Sequence, residues 1–347
     1  MHNNNFNFLR LLGALLVIFS HSFYITGQDI FEPINLITRK QFEGSAFGLC
    51  IFFFISGFFV TKSGFNSSSI LSFLKKRILR IYPALIIVVL LSVFIAGPAL
   101  TTLSIKTYFL HADTWKYLTT ISGFRIRMDL PGVFNEAAYH LHNFNVSLWT
   151  IALELCLYVS LACLLIILKN KKIFTVATLI IVLSIFVILA LKTTEQYVIS
   201  LNLTAVFYLG AFVASSELNK KQVLLSFFTV TTTYIILKTI KTPINPAFLL
   251  LPVLAFPIYL IGFFDKIKLR FNTDISYGLY IFAFPIGQII YKILGYTSSS
   301  YTIFFLTILV TIPIALASWF LIEKPCIQLK HKKFGGYKNY LAKRIFL

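Results

Sequence analysis

Arg10 and His21 stand inside the first apolar stretch of the chain, FLRLLGALLVIFSHSFYIT, where a segment that only anchored a protein would carry neither. Their spacing is close to three helical turns, so both side chains project from one face, about 16 Å apart along the axis. An ionisable group in hydrocarbon is costly unless it faces a polar interior, so this face is expected to line a cavity. His21 is the type of group that takes a proton from a hydroxyl near neutral pH, and a carboxylate beside it would fix its tautomer and raise its basicity. Glu154, in NVSLWTIALELCLY, is the candidate carboxylate. It lies about two turns from the outer end of its segment and His21 about one and a half from the outer end of its own, so their depths match. A structural glutamate paired with Lys or Arg is the plainer reading of the same residue.

A second cluster suits phosphates. In KKRILRIYP at 75–83, Arg77 and Arg80 fall one turn apart on one face, and Pro83 suits the first turn of a helix that starts near it. Two guanidinium forks hold phosphate oxygens bidentately, whereas a topological marker would be served equally well by lysines. Arg10, near the inner end of its segment, extends the same set. Ser56 and Gly57, in FFFISGFF, let a ligand or another backbone come close, and helix packing alone explains the pair as well. Asn145, Trp149 and Thr150 stand where an acceptor could be held, Trp149 as a stacking platform or as an interfacial belt residue. The stretch from about 98 to 145 adds His111, Asp113, Trp115, Asp129, Glu136, Tyr139, His140 and His142, which could hold a glycan or simply be solvated. His140 and His142 have no third ligand at a defined spacing, and no metal site is expected.

The elements that must position these groups are membrane helices. With a mean hydropathy of +0.83, 58% hydrophobic and 12% charged residues in 347, the chain reads as an all-α, polytopic helical bundle. Ten spans are predicted at 8–26, 46–62, 81–97, 146–168, 173–191, 197–215, 221–238, 246–264, 274–295 and 300–323. With the N-terminus inside, Lys and Arg favour the inner connections two to one, which puts both termini in the cytoplasm. The division is then a membrane domain over 1–330, with its outer loop at about 98–145, and a basic cytoplasmic tail over 331–347. The net charge of +19 is accounted for by this topology and by anionic lipid head groups, without a nucleic acid partner. No basic region precedes the first span and no clear cleavage site follows it, so it is read as a span and not a signal peptide. The four cysteines imply no disulfide framework.

Six blocks in order, Arg-x10-His, FFFISGF, KKRILRIYP, SLWTIALE, ISYGLYIFAFPI and FLIEKP, make the chain resemble the integral-membrane acyltransferase-3 family along essentially its whole length. The resemblance implies a carbohydrate O-acyltransferase of the bacterial inner membrane. Its donor is acyl-CoA, commonly acetyl-CoA, with no permanently bound cofactor, and its acceptor is a surface or lipid-linked glycan. It also implies that His21 matches the family's essential histidine, Arg10 its partner, Arg77 and Arg80 the basic pair, and Glu154 the carboxylate of the Trp149-Thr150-Ile151 block. Many relatives carry a histidine where Ala283 stands, and an extracytoplasmic esterase-like domain found in some is not evident. The expected mechanism places the phosphates of acyl-CoA near Arg77 and Arg80, Arg10 along the path, and His21, oriented by Glu154, as base or as acyl relay. The competing class is a glycan or lipid transporter using the same polar residues, which would favour an inverted repeat that the sequence does not display.

Overall fold

The computed structural model describes residues 5–135, 141–190, 195–216, 218–239, 250–264, 269 and 273–329, and among these the regular elements are all helical. Ten helices carry the architecture: α1 (Phe6–Ile25), α2 (Gly44–Phe65), α3 (Ile70–Leu91), α4 (Trp149–Ile167), α5 (Lys171–Ala190), α6 (Glu195–Ser215), α7 (Lys220–Thr239), α8 (Leu250–Gly262), α9 (Ser276–Ile293) and α10 (Ser300–Ser318). Among the described residues, seven helices are long and apolar enough to cross a membrane, namely α1 to α6 and α10 with their extensions. The chain is a polytopic helical membrane protein. α7 carries more polar residues, α8 is described from Leu250 to Gly262, with 246–249 of its predicted span outside the described residues, and the apolar sequence of α9 includes the polar groups of Tyr277, Tyr280 and Gln288. The tail beyond 329 lies outside the described residues.

The largest departure from expectation is α3. Ser69 caps it, its hydroxyl accepting from Ser72 N at 3.1 Å, so the helix begins at Ile70 and not near 81. Arg77 and Arg80 therefore stand two to three turns inside a helix rather than at its mouth, and Pro83 is interior rather than in the first turn. The basic run reads as a connection because nothing in the sequence shows that the helix faces a polar cavity. α3 then continues through a π-helical turn, Ser92–Ala96, to Leu100, and α10 continues through a second, Trp319–Glu323, into Lys324–Gln328.

α1 packs against α2, α9 and α10, while α2 is laid closely against α6. That last contact depends on glycine: a Cβ on Gly57 would run into the Phe207 carbonyl, and one on Gly210 into the Phe54 carbonyl. Between Arg10 and His21, α1 presents Ala14 and Ile18 to Leu279 and Ala283 of α9 and Ala315 of α10, all buried. Ala283 thus belongs to a dry seam.

The segment after α3 is folded onto the bundle. It contains the short helices Ile105–Leu110 and Ala112–Tyr117 and is closed on itself by Thr102 N donating to the Gly132 carbonyl at 2.9 Å. Its far end grips α9: Asn145 Nδ2 donates to the Ile281 carbonyl at 2.9 Å, and Gln288 Nε2 to the Asn143 carbonyl at 2.7 Å.

Candidate functional site

A cavity of about 630 Å³ opens between α1, α2, α3, α4 and α9 and is lined by the four groups expected to hold the donor, Arg10, Ser56, Arg77 and Arg80, and also by Glu154, which was expected beside His21. One acid that the sequence reading passed over organises it. Asp274, just before α9, takes Arg80 Nη2 at 2.7 Å and Arg10 Nη1 at 3.1 Å on the same oxygen, Oδ2, and its Oδ1 accepts from Ser276 Oγ at 2.6 Å. The two arginine side chains are about a quarter exposed and line the cavity, and each guanidinium has further N–H donors beyond the nitrogen that Asp274 takes. The signal available in the sequence was an acid four residues after Arg270, the last of the basic run of Lys266, Lys268 and Arg270.

Aromatic faces complete the cationic wall. The Arg80 guanidinium lies 6.0 Å from the Trp319 ring centre, Arg77 5.9 Å from that of Tyr158, and Arg10 5.9 Å from that of Phe59. Arg77 Nη2 donates to Ser63 Oγ at 3.4 Å, and its buried Nε has no hydrogen-bond partner among the described residues. Trp319 is delivered by the π-helical turn that ends α10, a distortion that recurs where a helix serves a site. The same turn buries Glu323, whose Oε1 accepts from Ser318 Oγ at 2.9 Å. FLIEKP thereby acquires a structural account.

The expected pairing of Glu154 with His21 is not formed. Glu154 Oε1 accepts from the Tyr158 hydroxyl and from Ser56 Oγ, the latter at 3.2 Å. The reason is lateral. α4 packs against α2 and α3, and α1 against α2, α9 and α10, so equal depth brings the two residues to the same level on helices that are not neighbours. His21 is also absent from the lining of the cavity, which corrects the expectation that the whole Arg10–His21 face opens into it. Its ring packs edge-on against Phe284 at 5.0 Å and is partly exposed, and among the described residues no hydrogen bond occupies its nitrogens.

Along α9 the wall of the cavity includes Tyr280, one helical turn before the Phe284 that His21 packs against. Phe52, Ile151 and Thr150 line the same cavity. The Thr150 and Tyr280 hydroxyls are 2.6 Å apart, both residues are buried, and Phe52 meets the Tyr280 ring at 5.8 Å. Along α9, this latched ring lies at a level between Asp274, which holds Arg10 and Arg80, and Phe284, against which His21 packs.

Of the acceptor candidates, Thr150 is in the cavity wall, Trp149 is half-buried against the core, and Asn145 clamps α9 through Nδ2 while its buried Oδ1 has no hydrogen-bond partner among the described residues. In the folded loop, His111, Asp113, Asp129 and His142 share a second cavity of about 550 Å³ with Lys116 and Arg127. Lys116 Nζ reaches Asp113 at 2.9 Å and holds its carboxyl below the usual range, while burial raises that of Asp129. Trp115 instead packs on Phe109 and Phe94, its Nε1 donating to the Phe109 carbonyl at 2.7 Å. Glu136, Tyr139 and His140 lie outside the described residues. Among the described residues, no group of three His, Cys, Asp or Glu gathers to hold a metal ion.

Comparison with known proteins agrees with the blocks read in the sequence. The profile described as "Acyltransferase domain" matches residues 3–323. An O-acetyl transferase of Shigella phage Sf6 is 30% identical over 337 residues, covering 93% of this chain and 96% of that protein. Nodulation protein 10 of Rhizobium leguminosarum bv. viciae is 36% identical over 187 residues, 49% of this chain and 46% of its own length. No solved structure matches the chain.

Proposed function

The chain belongs to this acyltransferase family and is a membrane O-acyltransferase, and from that premise we propose that it moves an acetyl group from cytoplasmic acetyl-CoA to a hydroxyl of a surface or lipid-linked carbohydrate. The observation that carries the reading is the cavity whose wall brings three guanidiniums from two helices together with uncharged side chains such as Phe52, Ile151 and Tyr280. Such a space suits a ligand with a polyanionic head and a thin, uncharged arm. The relative from Shigella phage Sf6, by its printed name an O-acetyl transferase, supports the acetyl group and the oxygen acceptor.

On this reading the phosphates of the donor lie against Arg10, Arg77 and Arg80, and its thioester arm runs towards Tyr280. Glu154 acts here and not at His21: held by Tyr158 and Ser56, it lies on the donor side and balances the charge of Arg77. His21 is the base at the far side of the Tyr280 latch. With its ring nitrogens unengaged, it accepts the proton of the acceptor hydroxyl as the oxygen attacks the thioester carbonyl. The C–O bond forms, the C–S bond breaks, and the proton passes to the departing thiolate, giving the O-acetyl ester and free CoA. A two-step route through an acyl-imidazole would use the same histidine. The membrane in question is the bacterial inner membrane, where acetyl-CoA is available on one face and envelope glycans are built on the other.

The test is to delete the gene and compare the masses of the cell-surface polysaccharides. Loss of one acetyl increment from one glycan, restored by the wild-type gene, is the expected result. Unchanged glycan masses under conditions where the protein is made would overturn the reading.

A further inference from the structure

We propose that Asp274 is a positioning residue that shapes the donor's phosphate site, by holding Arg10 and Arg80 at a fixed separation on one carboxylate oxygen. The proposal rests on the phosphate reading of the cavity given above and assigns a role to a residue that none of the motif blocks contains.

The argument begins with charge. Arg10 on α1 and Arg80 on α3, with Arg77 nearby and Lys76 also in the wall, crowd cations into one small cavity. Like charges so placed repel, and arginine side chains are long enough to swing apart. Asp274 prevents this. Both guanidiniums converge on its Oδ2, at 3.1 and 2.7 Å, so the distance between them is set by one atom. The carboxylate is itself oriented, because Oδ1 accepts from Ser276 Oγ at 2.6 Å and Ser276 opens α9. Three elements, α1, α3 and the start of α9, are thus tied together at the point where the donor's anionic head would bind.

The arrangement also leaves the site ready for a ligand. Each guanidinium commits one nitrogen to Asp274, and its remaining N–H donors are left to address phosphate oxygens in a geometry already fixed. Asp274 need not touch the ligand. It cancels part of the mutual repulsion, and even with Glu154 the wall sets two carboxylates against the four cations Arg10, Lys76, Arg77 and Arg80, so an anionic ligand is still attracted. Preorganisation of this kind improves binding of the charged head and is indifferent to the uncharged arm.

The test separates the two ends of the donor. Asp274→Asn keeps the size of the side chain and a carbonyl oxygen for Ser276 but removes the charge that gathers the arginines. Dissociation constants for acetyl-CoA and for S-acetylpantetheine, the same thioester arm without the phosphates of the nucleotide end, are measured on the purified full chain in nanodiscs. The expected result is that the preference for acetyl-CoA over S-acetylpantetheine falls about tenfold, the order of one charge-assisted hydrogen bond. A general packing defect would weaken both ligands alike and leave the preference unchanged, which would overturn the proposal. Arg80→Ala is measured alongside. If it lowers the preference and Asp274→Asn does not, the positioning role fails while the phosphate reading stands; if neither lowers it, the phosphate reading fails with it. Should the Asp274 variant not fold, Ser276→Ala decides: it keeps both ion pairs but frees the carboxylate to turn, and a smaller loss of the same preference is expected, with no loss counting against the proposal.

Discussion

Removing the hydroxyl pair that latches Tyr280 should make the protein waste its donor. The Thr150 and Tyr280 hydroxyls are 2.6 Å apart in the wall of the cavity, and both residues are buried. A net hydrogen bond contributes about 0.5–1.5 kcal/mol, so Tyr280→Phe, which leaves the ring but not the bond, should raise the fraction of open rings by about two- to thirteen-fold. Thr150→Val should do more. It strands a buried phenol hydroxyl without a partner, which costs about 1–3 kcal/mol, whereas Phe at 280 leaves the Thr150 hydroxyl its weaker contact with the Ser147 carbonyl at 3.5 Å. The assay is hydrolysis of acetyl-CoA by the purified protein without an acceptor, read as free thiol. Both single variants should release thiol faster than wild type, in the order Thr150→Val above Tyr280→Phe. The double variant should add little to the stronger single, because both changes remove the same bond. Wild-type hydrolysis rates in both variants, or effects that simply add, would refute the reasoning that this ring separates donor from His21.

Other expectations test the frame of the site. Gly57→Ala places a methyl group against the Phe207 carbonyl at the α2–α6 contact, and a loss of about 1–3 kcal/mol in unfolding free energy is expected in detergent, with unchanged stability counting against the close approach. Glu43, at the start of α2, has its carboxyl raised by burial and by the neighbouring charge of Glu32. A carboxyl raised in the folded state binds its proton more tightly there, so the fold carries a penalty above that value which disappears below the ordinary carboxylate range. Glu43→Gln should therefore melt higher than wild type at neutral pH, with the gap closing as the pH falls; a gap independent of pH would sink this. Arg80→Lys keeps the charge but not the fork, and acetyl-CoA affinity should fall by about tenfold, whereas full retention would mean that charge alone suffices.

What could be read in the sequence was what hydropathy and motif order encode. The apolar runs of α1, α2, α4 and α6 mark their helices to within a few residues, and Arg10, Ser56, Arg77, Arg80 and Glu154 do share one cavity. What could not be read was which helices touch. Matching Glu154 to His21 used depth along the bundle, a one-dimensional coordinate, while contact depends on the lateral order of helices, and α4 and α1 are not adjacent. The start of α3 was hidden for a related reason. KKRILR looks like a connection until the cavity that shelters its arginines is known. Asp274 was passed over because its meaning lies in two partners more than 190 residues away in sequence, Arg80 and Arg10.

The central claim is that acetyl transfer from acetyl-CoA passes through His21. It is tested most directly by giving acetyl-labelled acetyl-CoA to inside-out membrane vesicles from cells that make either the wild type or His21→Ala, at matched amounts of inserted protein, and counting label in the glycan fraction. The account predicts label in the glycan with the wild type and none above background with His21→Ala. Equal incorporation by the two would contradict it.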